Sequence, residues 1–219
     1  DRGALQEPAA RDRPGLPACA LEGPAAASEL GLRVRRRAAR RALEADWRDA
    51  YRSFGAKPQR TRPSVEALLR RLDGGLPRID RLTDAYNAVS IAHLVPVGGE
   101  DLDRYQGAAR LVRAAGDEEF GIVAHGEPAV EHPKPGEVIW RDDAGVTCRC
   151  WNWRQCFRTR ITPSTTNAVF IIDGLAALGR DGLTAAGNEL ASSLIELSPQ
   201  AVIASRLIIP PRGGMRGES

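Results

Sequence analysis

The sequence predicts an α+β fold, and three observations carry that prediction. Residues from about Leu32 to Phe54 lack Pro and Gly and are rich in Ala, Arg, Leu and Glu, all good helix formers. After Pro96 the pattern changes to short apolar runs bounded by Gly, Pro or Asp. Helices come first and strands follow, whereas an α/β fold alternates the two along the chain.

Residues Asp1 to Gly31 are rich in Ala, Pro and Gly with little aliphatic periodicity, and are expected to be disordered or loosely attached. The first helix then runs from Leu32 to Phe54 and ends at Gly55. Pro63 and Ser64 open a second helix with Ser64 as its cap; Leu68, Leu69 and Leu72 follow at helical spacing, and Gly74-Gly75 closes it. Residues Pro77 to Leu82 read as a linker. A third helix, capped by Thr83 or Asp84, extends through Ala92 on the spacing of Ala85, Ala88, Val89 and Ala92.

Gly98-Gly99 reads as a turn. Strands are expected at Ala108–Ala115, Phe120–Ala124, Gly136–Trp140 and Val146–Trp151, with a hairpin turn at Asp142 to Gly145. The apolar run Ala168–Asp173 suits a buried strand. Leu183–Leu197 reads as a helix, Ala201–Ile209 as a final strand, and the Gly- and Pro-rich stretch from Pro210 as a loose tail. No apolar window is long enough to span a bilayer, and no secretory signal is visible, so a cytoplasmic protein is expected.

The four cysteines, Cys19, Cys148, Cys150 and Cys156, lack zinc-ligand spacing with each other or with His93, His125 and His132, and read as reduced structural thiols. Cys148 and Cys150, two apart in one predicted strand, share a face. A nucleophilic Cys156 between Arg154 and Arg158 is the alternative, because nearby cations lower a thiol pKa. The first 80 residues hold 17 Lys and Arg against 11 Asp and Glu, with the densest cluster from Arg33 to Arg41. Such a cluster either neutralises phosphates or forms a solvated helix face.

Candidate chemistry lies in three segments. Trp151-Asn152-Trp153-Arg154-Gln155 with Arg158-Thr159-Arg160-Ile161-Thr162 combines aromatics that stack on bases with guanidiniums that grip phosphates. The same run also suits a strand and loop with its Trp rings inward and its Arg side chains in water. In Thr83-Asp84-Ala85-Tyr86-Asn87, Asn87 lies one turn from Thr83 on the same face and can both donate and accept. Gly98-Gly99-Glu100-Asp101-Leu102-Asp103 offers paired acids for a base or a metal, or simply an exposed loop or helix start. The chain has no Walker loop, no GxGxxG, no GxSxG elbow and no kinase signature, so nothing marks an ATP site.

Taken in order, several segments resemble the B3/B4 (editing) domain of the phenylalanyl-tRNA synthetase beta chain. They are Trp47 to Tyr51, Phe54-Gly55, Pro63 to Leu69, Leu76 to Asp80, Asp84 to Ser90, Pro96 to Asp103, Pro135 to Val138, and Trp151 to Gln155 with Arg158-Thr159. The resemblance covers roughly Trp47 to Leu178 and rests on the order and spacing of the segments. It implies a B3/B4-type β-sandwich core with flanking helices over residues 32–209. It also implies a pocket for the aminoacyl ester at the 3′ end of tRNA, with no metal and no cofactor: a positioned water attacks and hydrogen-bond donors hold the oxyanion.

Asn87 matches a helix-start asparagine that lines the synthetase pocket. On this reading Asn87 and Asn152 meet the ester, and Glu100 lies near the water. Thr83, Trp151, Arg154, Arg158 and Thr159 bind the substrate. Where the synthetase domain carries a histidine before its Asp-Leu-Asp segment, this chain has Gly98, and the glutamate that reads tyrosine's hydroxyl has no counterpart. The resemblance therefore implies either a deacylase of mischarged tRNA or a binding module for tRNA or an amino acid. An autonomous phenylalanine–tRNA ligase is not expected, because the class II catalytic motifs are missing.

Overall fold

The computed structural model describes residues 40–76 and 79–209. The expected loose segment 1–31, the predicted helix start at Leu32 and the tail from Pro210 lie outside these residues. Helix α1 occupies residues 40–53, α2 Ser64–Arg71, α3 Arg81–His93 and α4 Gly179–Leu197. The strands are β1 Val97–Asp101, β2 Arg110–Arg113, β3 Phe120–Ala124, β4 Glu127–Glu131, β5 Val138–Arg141, β6 Val146–Arg149, β7 Arg154–Gln155 and β8 Ala168–Ile172. They form three antiparallel sheets: β1 with β8, the four-stranded β2-β5-β6-β7, and the hairpin β3-β4. The fold is α+β. No helix among the described residues is long and apolar enough to cross a membrane.

Three apolar clusters hold these elements together. Val89 of α3 and Ala186 and Leu190 of α4 pack on Val97, Phe170 and Ile172 of the β1–β8 pair. Hairpin β3–β4 closes over the four-stranded sheet, with Phe120 and Ile122 against Val112, Ile139, Val146 and Cys156. Trp47 and Tyr51 of α1, with Phe54 just after it, pack on Cys150, Trp151 and Trp153. Each fully buried large side chain contributes about 1.5–3 kcal/mol relative to exposure.

The structure corrects several expectations. Gly98-Gly99 is not a turn but part of β1. Glycine is needed at 99 because a Cβ there would lie 2.8 Å from Ile161 Cδ1 and 2.9 Å from Phe170 Cε1. The third helix is capped by Asp80, whose carboxylate accepts from the Thr83 amide at 2.7 Å. In the second helix Pro63 holds the N-cap position, and the Ser64 hydroxyl is buried without a partner among the described residues.

Strand β6 stops at Arg149 because Cys150 and Trp151 turn left-handed, with φ of 45° and 67°. Cys148 and Cys150 therefore do not share a sheet face. Residues 201–209 pair with no strand among the described residues and are exposed, so the expected final strand is absent. Strand β4 was not anticipated; it is turned back on β3 by His125 and Gly126, both at positive φ as a tight hairpin needs.

Candidate functional site

Glu100 of the central segment lies at the seam between β1 and the end of the four-stranded sheet, whereas Asp101 turns to Thr165 and Asp103 to Asn167. Beyond β7 the chain runs along the free edge of β1. The Asp101 amide donates to the Thr159 carbonyl at 2.8 Å, and the backbones of Glu100 and Arg160 form an isolated antiparallel β-bridge. Gln155 Nε2 donates to the Gly99 carbonyl at 3.0 Å. Alternation along β1 sends Gly98 and Glu100 to one side and Gly99 and Asp101 to the other.

Glu100 is 2% exposed. The Thr159 hydroxyl donates to its Oε2 at 2.6 Å and the Tyr105 hydroxyl at 2.8 Å. Burial raises the Glu100 pKa, against the pull of these two hydrogen bonds and of Arg158. Thr159 Oγ1 also lies 3.3 Å from Cys156 Sγ, so the thiol considered as a nucleophile sits in this buried network, itself 2% exposed.

A second acid, Asp173, follows β8 directly, and its amide donates to the Pro96 carbonyl. The Asn152 amide donates to its carboxylate at 3.2 Å, and the Tyr51 hydroxyl donates to Asn152 Oδ1 at 2.9 Å. Burial pushes the Asp173 pKa up to about 6. The left-handed turn at Cys150 and Trp151 swings Asn152 under this carboxylate. Two non-glycine residues there cost of order 1–3 kcal/mol each, which the packing of Trp151 on Trp47 at 5.1 Å helps to offset. The charges of Glu100 and Asp173 both bear on Cys148 of β6, whose thiol burial keeps protonated. Two acids with raised pKa values thus flank one strand position, the kind of arrangement found at functional sites.

The remaining anticipated residues fall elsewhere. Trp151 packs in the α1 cluster, and its buried indole also bears on the Asp173 carboxyl, opposing the rise that burial causes. Arg154 pairs with Glu131 and lies over the rings of Phe120 and Trp153. Arg158 grips Asp142 with two hydrogen bonds of 2.8 and 2.7 Å. Thr83 turns its hydroxyl to Asp80. Asn87 is partly buried on α3, and no side-chain hydrogen bond is found for it among the described residues. The candidates thus form local groups, of which Glu100–Thr159 and Asn152–Asp173 adjoin Cys148.

Asp173, Tyr105 and Tyr51 were not singled out from sequence. Only a lone acid ending the apolar run of β8 hinted at Asp173. Among the described residues, no His, Cys, Asp and Glu gather in a group able to hold a metal ion.

Against known proteins, the family model described as the B3/4 domain matches residues 46–180 of this chain. A search of the curated proteins finds no match.

Proposed function

Because this chain belongs to the B3/4 domain family, which relates it to the phenylalanyl-tRNA synthetase beta chain, we propose that it deacylates mischarged aminoacyl-tRNA in the cytoplasm. The observation that carries this reading beyond the family is Asp173, a carboxyl held by Asn152 with a pKa of about 6. A general base works best when its pKa lies near the operating pH.

In the proposed reaction the ionised Asp173 takes a proton from a water, whose oxygen bonds to the acyl carbon of the ester. The bond from that carbon to the ribose oxygen then breaks, and the proton passes to the ribose oxygen. The products are a free amino acid and an intact tRNA, and the balance needs no ATP. Asn152 orients the carboxylate and is itself fixed by Tyr51. Glu100, enclosed by Thr159 and Tyr105, positions β1 against the strand edge through these hydrogen bonds.

A second reading, binding of charged tRNA without turnover, is favoured by Gly98. The related synthetase domain has an imidazole at this position, and here a Cβ would already lie 3.2 Å from Gln155 Nε2. The test is to incubate the purified protein with a panel of mischarged tRNAs and measure amino-acid release. Release above the protein-free background that is lost in Asp173→Asn supports hydrolysis. Binding of charged tRNA with no release supports the second reading, and neither binding nor release refutes both.

A further inference from the structure

Away from the acid seam, α1, α2 and the loop between them enclose a hollow of about 170 Å³ lined by Arg48, Arg52, Gln59, Arg62, Glu66 and Arg70. The four arginines and one glutamate give its lining a charge of +3. Asp49, paired with Arg52, and Glu44, 3.9 Å from Arg48, lower the local balance to +1.

Glu66, 1% exposed, organises the cations. Arg48 donates Nε and Nη2 to its carboxylate at 3.1 and 2.8 Å, and Arg70 donates Nε at 3.1 Å. Arg62 approaches to 3.7 Å, and its Nε is buried with no hydrogen-bond partner among the described residues.

A guanidinium carries five N–H donors. Among the described residues Glu66 takes two from Arg48, one from Arg70 and none from Arg62, so most donors of these three cations remain for an occupant. Such an occupant must be rich in acceptors and negatively charged. Forked guanidiniums match the oxygens of a phosphate, and several around one hollow suit a phosphodiester. The charge cluster of the sequence continues into the same helix through Arg40 and Arg41.

We infer that this arginine-lined hollow between α1 and α2 takes a backbone phosphate of RNA, gripping the body of a tRNA whose acyl end is handled at the Asp173 seam. The inference rests on the reading that tRNA is the substrate.

The test measures binding of uncharged bulk tRNA by fluorescence anisotropy across a KCl series. It compares the wild-type chain, the double variant Arg62→Gln/Arg70→Gln, the rim variant Arg52→Gln and the control Arg180→Gln/Arg206→Gln. The control removes two charges from α4 and from the segment after it. The hollow variant should bind about tenfold more weakly or worse, and its slope of log affinity against log salt should fall by about 1. Arg52→Gln, whose described ion pair is with Asp49 only, should show a smaller loss and covers the case in which the double variant does not fold. Restoring the charge without the fork, as Arg62→Lys/Arg70→Lys, should recover the salt slope but not the full affinity.

Wild-type binding that both hollow variants leave unchanged, or that the control reduces equally, overturns the inference while leaving the tRNA reading intact. A wild-type chain that binds polyglutamate through the hollow and ignores tRNA overturns both. A chain that binds no tRNA even at low salt does the same.

Discussion

Asp173→Asn is expected to make the protein more stable at neutral pH and less able to hydrolyse the ester. In the fold the Asp173 pKa is about 6 against an ordinary 3.8. The protonated form is therefore the one the fold favours. Its contribution to stability is full below about pH 3.8 and is lost as pH rises through about 6. A rise of about two units, at 1.36 kcal/mol per unit, corresponds to about 3 kcal/mol of penalty carried by the ionised form at pH 7. Asparagine has the same shape and no charge, so it escapes that penalty. The stability difference between variant and wild type should grow by about 3 kcal/mol between pH 3 and pH 7. With an m-value of about 2 kcal/mol/M, the urea midpoint shifts by about 1.5 M across that range. Taking the difference cancels the other titrating groups, which are common to both proteins. Ester hydrolysis should meanwhile fall about 100-fold or more, the usual contribution of a general base. A stability difference that does not change with pH would refute the buried-acid argument, whatever happens to the rate.

Four further outcomes follow from the packing. Asp142 is fully buried and accepts from Arg158 and from the amides of Gln106, Ala144 and Gly145, so Asp142→Ala should cost about 3–5 kcal/mol in urea unfolding. Burial alone would raise its pKa, but Arg158 and the amides together outweigh it and hold it below 3.8. Its stabilisation is therefore present above about pH 4 and lost as pH falls through the depressed value, and Asp142→Asn should flatten that acid limb. Gly99→Ala forces a methyl against Ile161, Phe170 and Tyr86 and should lower stability by about 1–3 kcal/mol. Tyr51→Phe removes the hydrogen bond to Asn152; it should cost about 1 kcal/mol in unfolding and slow hydrolysis by loosening the group beneath Asp173.

Much of the fold was legible because it is local. Strand β3 has the bounds its apolar run suggested, and Asp142 to Gly145 form the expected turn, with Asp142 accepting from the amides of residues 144 and 145. Strand β4 was hidden because Glu127, Pro128 and Glu131 break the apolar pattern on an exposed hairpin. Strand β1 was hidden because two glycines resemble a turn until Ile161, Phe170 and Tyr86, all remote in sequence, crowd Gly99. The segment 201–209 has the residues of a strand but no edge to pair with among the described residues.

The site was harder to read because its contacts are long-range. Arg154 and Arg158 look available along the chain, yet Glu131 and Asp142, 23 and 16 residues away, occupy them. Glu100 reads as an exposed acid until Thr159, 59 residues on, encloses it. Asp173 gains its raised pKa from burial, against the opposing hydrogen bond from Asn152, and neither is visible in a single residue type. The resemblance, read over Trp47 to Leu178, coincides closely with the matched family span of residues 46–180. Order and spacing of weak segments thus identified the family where no single motif did.

The most direct measurement is the pH–rate profile of amino-acid release from a mischarged tRNA, corrected for protein-free hydrolysis at each pH. Release should rise through a single break near pH 6 to a plateau, and the break should vanish with the activity in Asp173→Asn. A rate that is flat between pH 5 and 8, or a profile that Asp173→Asn leaves in place, would contradict the role given to this carboxyl.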